Sequence, residues 1–169
     1  MRRIIMEFFE VVKQRKSVRE FSEKIVEKEF LEKIIDAGRV AATARNEQPW
    51  EFIITSDKNI LNKICDMCPN GPFIKGAPHL IAVFSKDTKY YLEDCSAATQ
   101  NMLLAIEALG LGGCWVAGDK KDYTGEIIKI FNVPENHKLV SMISVGYPKT
   151  PKEPKAKRNT KEVLHWEKW

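Results

Sequence analysis

Apolar side chains recur at helical spacing twice near the start of the chain, at Ile4, Phe8, Val11 and Val12 within residues 4–14 and at Phe30, Leu31, Ile34 and Ile35 within 27–38. Two amphipathic helices are predicted, and Gly38 is expected to end the second. The next stretch, AATARNEQPW, is small and polar; its Pro49 forbids helix and leads into the β-branched run EFIITS, which reads as a strand. Residues 57–65 read as helix, CPNGPFIKGAP as a loop and HLIAVF as a second strand. From 90 to 109 apolar residues cover nearly every side of a long helix, which predicts a central position for it. Gly110, Gly112 and Gly113 break that helix, GCWVAG reads as a short strand or turn, 121–131 as a helix, and KLVSMISVGYP as a strand stopped by Pro148. The remainder, KTPKEPKAKRNTK, has prolines that forbid helix and too few apolar groups to fold on itself. It ends in EVLHWEKW, whose two tryptophans a free tail would not normally expose. Strands and helices alternate irregularly, so an α+β sheet with helices packed on it fits best.

Composition changes this picture little. A chain of 169 residues, 44% hydrophobic and 30% charged, suits one domain that buries about 70% of its unfolded surface. No apolar run approaches the roughly 18 residues of a membrane helix, and Glu7, Glu10 and Lys13 interrupt any export signal at the start, which predicts a cytoplasmic protein without a membrane partner. Charge matters more. The net charge is +4, and the stretch from Lys149 to Lys161 holds six cations against the single acid Glu153, a pattern that fits local anion binding. With aromatics at 9% and no helix carrying a basic stripe, a nucleic-acid partner is not expected.

Several chemistries lose their support. The glycines near Gly110 and Gly112 do not complete GxGxxG because Trp115 stands in the way, and GPFIKGAP lacks the Lys-Ser/Thr of a P-loop. His79, His137 and His165 are scattered, with no HExxH and no G-x-S-x-G elbow. Cys65 and Cys68 in CDMC have the spacing of a redox dithiol or half a metal site, which Cys95 and Cys114 could complete, but no second CxxC is present, and the preferred reading is reduced thiols in apolar surroundings. RKSVREF packs three cations and one hydroxyl into the five residues from Arg15 to Arg19: in an extended segment Arg15, Ser17 and Arg19 fall on one side, where they could hold an anion. Taken alone, the same residues fit a solvated basic turn equally well.

RKSVREF, ARNEQPWEF, YYLEDCSAATQNMLLAIEALGLGGCW and ISVGYP followed by a basic tail, in that order along essentially the whole chain, resemble the nitroreductase family of FMN-dependent oxidoreductases. The resemblance implies a single domain over 1–169, an α+β sandwich with a central, mostly antiparallel sheet flanked by helices. It implies an intertwined homodimer with FMN at the subunit interface, the 148–169 tail wrapping the partner so that Trp166 and Trp169 find cover and the 90–110 helix is buried. Arg15, Lys16, Ser17 and Arg19 match the family's flavin motif: Arg19 would face the N1 and C2 oxygen edge, where reduction places negative charge, while Arg15 and Lys16 serve ribityl and phosphate. Lys155, Lys157 and Arg158 match a basic anchor for the phosphate, which carries about −1.5 to −2 charge. Ala42, Thr43 and Ala44 stand where the family has Pro-Ser-Ala, in a loop that reaches the flavin from the other subunit, with Asn46 and Gln48 as polar members. Around Val116, small residues would let backbone approach the ring, with an amide of Ala117 or Gly118 donating to flavin N5 or O4, while Trp115 is expected in the core. Lys75 is a second candidate for the flavin edge, and Tyr90, Tyr91 and Phe73 read as buried aromatics or a lid. No side chain stands out as general acid or base. The implied activity is hydride transfer from NADH or NADPH through FMN to a nitroaromatic, quinone or related small-molecule acceptor by ping-pong turnover; the alternative is an FMN protein with a specialised role in flavin storage or consumption, or fed by a protein donor.

Overall fold

The computed structural model describes residues 7–151 and 155–169. The first helix, α1, is Phe8–Gln14, and Ile4 of the expected apolar stripe lies outside the described residues, as do Glu153 and Pro154 of the tail. Helix α2 is Lys28–Arg39 and runs through Gly38 rather than stopping at it. A Cβ at Gly38 would stand 2.8 Å from Met102 Cγ, so this glycine serves close packing against a neighbouring helix, not termination. Strand β1 (Trp50–Thr55) is followed by α3 (Lys58–Met67), whose first turn is capped by the Asp57 carboxylate accepting from the Asn59 amide. Then come β2 (His79–Lys86), α4 (Tyr91–Ala108), β3 (Gly112–Ala117), α5 (Thr124–Ile130) and β4 (His137–Gly146). Gly110, at φ +75°, ends α4: its amide donates to Glu107 O and that of Leu111 to Ile106 O, satisfying two terminal carbonyls.

The four strands form one sheet in the order β1-β2-β4-β3, antiparallel throughout, as expected. Helices cover both faces, which is why HLIAVF is apolar without alternation. On one face Ile81, Val83, Ile143 and Val145 pack against Leu31 and Ile34 of α2 and Ala98, Met102 and Ile106 of α4. On the other, Leu80, Ala82, Phe84, Leu139 and Met142 pack against Leu61 and Ile64 of α3 and Ile127 of α5. An irregularity between Val83 and Phe84 leaves Val140 as an extra residue in β4.

Helix α4 is less central than its composition predicts. Cys95, Ala98, Thr99, Met102 and Ile106 are buried, but Leu104, Ala105 and Ala108 line an open apolar groove of about 530 Å³ with Phe8, Val11 and Val40. Of its lining residues Phe8 and Val40 are exposed, as are Phe9 and Val12 elsewhere on α1. Trp115, expected in the core, is 36% exposed because β3 is an edge strand. Among the described residues of the tail after Pro148 there is no long element; a short 3₁₀ turn at Thr160–Glu162, capped by Asn159, precedes Trp166 and Trp169, both exposed. No helix among the described residues is long and apolar enough to cross a membrane.

All four cysteines are buried free thiols. Cys95 packs on the α4 face and the CDMC pair on the opposite one, so the sheet separates them. Burial pushes the Cys95 thiol up to about 11, partly offset by a hydrogen bond with Ser85 and reinforced by the Asp94 carboxylate. An unfolded thiol ionises near 9.0, so the folded state holds the extra proton between these values, and stability, complete below pH 9, falls as the pH rises to 11. Denaturation midpoints are expected to decline over that interval, by roughly 3 kcal/mol from this group. Cys95→Ala should flatten the slope, and an unchanged slope would contradict the assignment.

Candidate active site

RKSVREF leaves α1 as extended chain that meets the outer edge of β3 at Gly113 and then pairs with the residues that follow β4. The Val18 amide donates to Gly113 O at 2.9 Å and Ser17 lies beside Gly113 in parallel register. Further on, Ser22 N donates to Tyr147 O, Phe21 pairs with Pro148, and Lys149 N donates to Glu20 O. The apolar members hold it there: Val18 and Phe21 are buried with Ala77. Gly112 permits the approach, since a Cβ on it would stand 2.7 Å from Val18 Cβ. With Val18 turned inward, Ser17 and Arg19 are exposed on the other side, and the Arg19 guanidinium lies 5.5 Å from the Phe73 ring centroid.

Two adjoining concavities open at this segment, of about 400 and 290 Å³, and both are lined by Lys16, Ser17 and Lys155. Val12, Lys13, Arg15 and Lys157 complete the larger. The smaller adds Val18, Arg19, Glu20, Thr150 and Pro151. The two ends of the chain therefore meet: Arg15, Lys16, Ser17, Lys155 and Lys157 gather around one hollow, while Arg158 and Lys75 line neither. Among the described residues no carboxylate lines the larger concavity, so its cations reinforce one another's field and suit a multiply charged oxyanion.

Val116, Ala117 and Gly118 lie at the opposite end of β3. Val116 lines a cavity of about 410 Å³ with Cys68, Gly71, Tyr123 and Glu126. Because the Gly113 carbonyl is taken from outside the sheet, the alternation of β3 turns the main-chain groups of Trp115 and Ala117 outward as well. The Gly118 amide is committed to Val140 O at 3.1 Å, so of the two candidate donors the Ala117 amide is the one on the free edge. A Cβ on Gly118 would lie 2.6 Å from Leu139 Cγ, which accounts for the glycine.

The loop from Ala42 to Gln48 sits elsewhere. Asp94 in the first turn of α4, 5% exposed, accepts from Thr43 Oγ1 at 2.8 Å and from Ala44 N at 3.0 Å, and Gln48 N donates to Thr43 Oγ1. Arg45, Asn46 and Gln48 all have positive φ, so the loop turns through left-handed backbone while the Asp94 carboxylate anchors its start. This loop feeds β1, three strands away from β3, about 14 Å at the usual spacing, and lies by the start of α4 whereas Gly113 follows its end. No residue of the loop lines either basic concavity. The buried Asp94 was not anticipated, although a carboxylate in the apolar run YYLEDCSAA is the signal for it. Tyr90 and Phe73 are half-buried, and Tyr91 is hydrogen-bonded to Asp119.

A family profile described as "Putative TM nitroreductase" matches residues 7–169. A protein of Archaeoglobus fulgidus named "Putative NADH dehydrogenase/NAD(P)H nitroreductase" is 34% identical over 96% of this chain and 99% of its own. An "Iodotyrosine deiodinase" of Thermotoga neapolitana is 33% identical over 89% of this chain and 93% of its own. The crystal structure of a protein from Parabacteroides distasonis with the same description as the Archaeoglobus relative matches this one with a TM-score of 0.92 at 35% identity, covering 96% of this chain and 98% of that one.

Proposed function

The chain belongs to the nitroreductase family, and from that premise we propose that it is an FMN-dependent oxidoreductase taking hydride from NADH or NADPH and passing electrons to a small organic acceptor in alternating half-reactions. The observation that carries this reading is the basic hollow: Arg15, Lys16, Lys155 and Lys157 surround a space that fits a phosphate dianion, beside the Ser17 hydroxyl. The outer edge of β3 leads from there to Ala117, about 13 Å along the strand, a span that suits a flavin laid lengthwise. FMN, when bound, supplies the hydride-accepting and electron-donating chemistry. The protein's part is binding and electrostatics: Arg19 would stabilise negative charge at the pyrimidine edge, the Ala117 amide would donate to the central ring, and Lys155 and Lys157 with Arg15 would neutralise the phosphate.

A second copy supplies what one subunit lacks. The 42–48 loop lines neither part of the hollow, and the groove beside α4, rimmed by exposed Phe8 and Val40, needs cover, as do Trp166 and Trp169. In this reading a homodimer brings its loop to the flavin of its partner while the tail wraps across. The relatives' names divide between nitroreductase and deiodinase, so the acceptor, a nitroaromatic, quinone or halogenated aromatic, is the open choice within this reading.

Purified protein mixed with FMN is expected to be yellow, to elute as a dimer on gel filtration, and to bleach on anaerobic addition of NADH or NADPH. A colourless protein that gains no flavin signal removes the whole reading. Persistent yellow colour with both nicotinamides instead favours a flavin protein served by another donor.

A further inference from the structure

The turn that follows β3 is held by contacts from every side. One carbonyl, Val140 O in the bulge of β4, accepts both the Gly118 and the Asp119 amides, each at 3.1 Å. Thr124 Oγ1 donates to Gly118 O and the Tyr123 phenol to Ala117 O. The Asp119 carboxylate accepts from the Tyr91 phenol at 2.9 Å, bringing the first residue of α4 to the end of β3. Tyr91 is itself fixed: Lys138 Nζ lies 4.3 Å from its ring centroid and pairs with Asp87 at 2.7 Å. After the turn Lys120 is left-handed at φ 57°, so the backbone reverses abruptly.

We infer that Tyr91 and Asp119 are positioning residues which, by clamping this turn, hold the outward-facing Ala117 amide in the place where it meets the flavin. The inference rests on the proposed flavin site, and its mechanism is local: a donor at a strand end frays unless the following turn is tied, and an amide aimed in advance does not have to reorganise when charge develops. The Tyr91 phenol, protonated at neutral pH as any tyrosine is, is pushed further up, chiefly by its hydrogen bond to Asp119. Because the bond has a charged acceptor, it is among the stronger neutral–ion hydrogen bonds, and its loss should be visible.

Hydrogen exchange on the flavin-free protein reads the clamp directly. Tyr91→Phe and Asp119→Ala are each expected to speed exchange of the Gly118 and Asp119 amides about tenfold, whereas Asp119→Asn, which keeps an acceptor oxygen, should largely retain protection. In FMN-loaded protein the limiting rate of flavin reduction should fall about tenfold in Tyr91→Phe and in Asp119→Ala, and the double variant should be no slower than either single one. The dissociation constant for the nicotinamide should not move. Unchanged amide exchange in Tyr91→Phe, or fully additive losses in the double variant, would overturn the clamp. Lowered melting temperature with an unaltered reduction rate would also overturn it, since that is a merely structural effect. If the wild-type protein takes up no FMN, the proposed function fails, and the exchange experiment still decides whether the turn is clamped.

Discussion

Gly112→Val is expected to release RKSVREF from the sheet and with it most of the affinity for FMN. The added Cβ would stand 2.7–2.8 Å from three carbons of Val18, and a β-branched side chain has no rotamer that clears them. Either the segment lifts off, breaking the Val18–Gly113 hydrogen bond, or the core strains. Overpacking costs about 1–3 kcal/mol and the lost bond about 1 kcal/mol more. For a chain of this size that corresponds to a melting temperature lower by on the order of 10 °C. Because Arg15, Lys16 and Ser17 ride on the displaced segment, the dissociation constant for FMN should rise at least tenfold, measured by quenching of flavin fluorescence, about what 1.4 kcal/mol represents. Gly76→Ala and Gly125→Ala serve as controls, since an added Cβ at either meets nothing within 4 Å. Val18→Ala in the Gly112→Val background should recover part of the loss. Undiminished FMN affinity in Gly112→Val would show that the segment's docking on β3 is irrelevant to the site.

Arg15→Ala and Lys155→Ala are expected each to weaken FMN binding by roughly tenfold to a hundredfold, the equivalent of one hydrogen bond to a charged group. The same substitutions should leave the binding of riboflavin, which has no phosphate, nearly unchanged. That contrast separates the anion hollow from a general effect on folding. Raising ionic strength should narrow the difference between wild type and variants, as screening shortens the reach of the remaining cations to about 3 Å at 1 M salt. Equal losses for FMN and riboflavin would place the phosphate elsewhere.

These two results test different links. Gly112 tests whether the backbone brings the cation cluster to the sheet, and Arg15 with Lys155 tests what the cluster then holds. RKSVREF was legible as a basic segment which, if extended, puts Arg15, Ser17 and Arg19 on one side. What it pairs with was not, since the Gly113 carbonyl is nearly a hundred residues away and nothing local selects it. Gly38 illustrates the same limit. A glycine near a helix end suggests termination, yet this one continues the helix because a Met102 side chain on α4 occupies the space a Cβ would need. Trp115 looked like core from its size and is partly exposed because its strand falls at the edge of the sheet.

Local periodicity and punctuation determined by themselves where the main helices and strands lie, that helices pack on a sheet, and which residues carry positive charge, while GCWVAG stayed open between strand and turn. Those properties depend on neighbours a few positions apart, and a linear string contains them. Only the tertiary structure decided which edge strand receives RKSVREF, that Lys155 and Lys157 close the same hollow as Arg15 and Lys16, that Asp94 anchors the 42–48 loop, and that the Ala117 amide rather than that of Gly118 faces outward. Each of these is a contact between residues far apart in the chain, set by the order of strands in the sheet and by the packing of side chains, and no local pattern specifies either one.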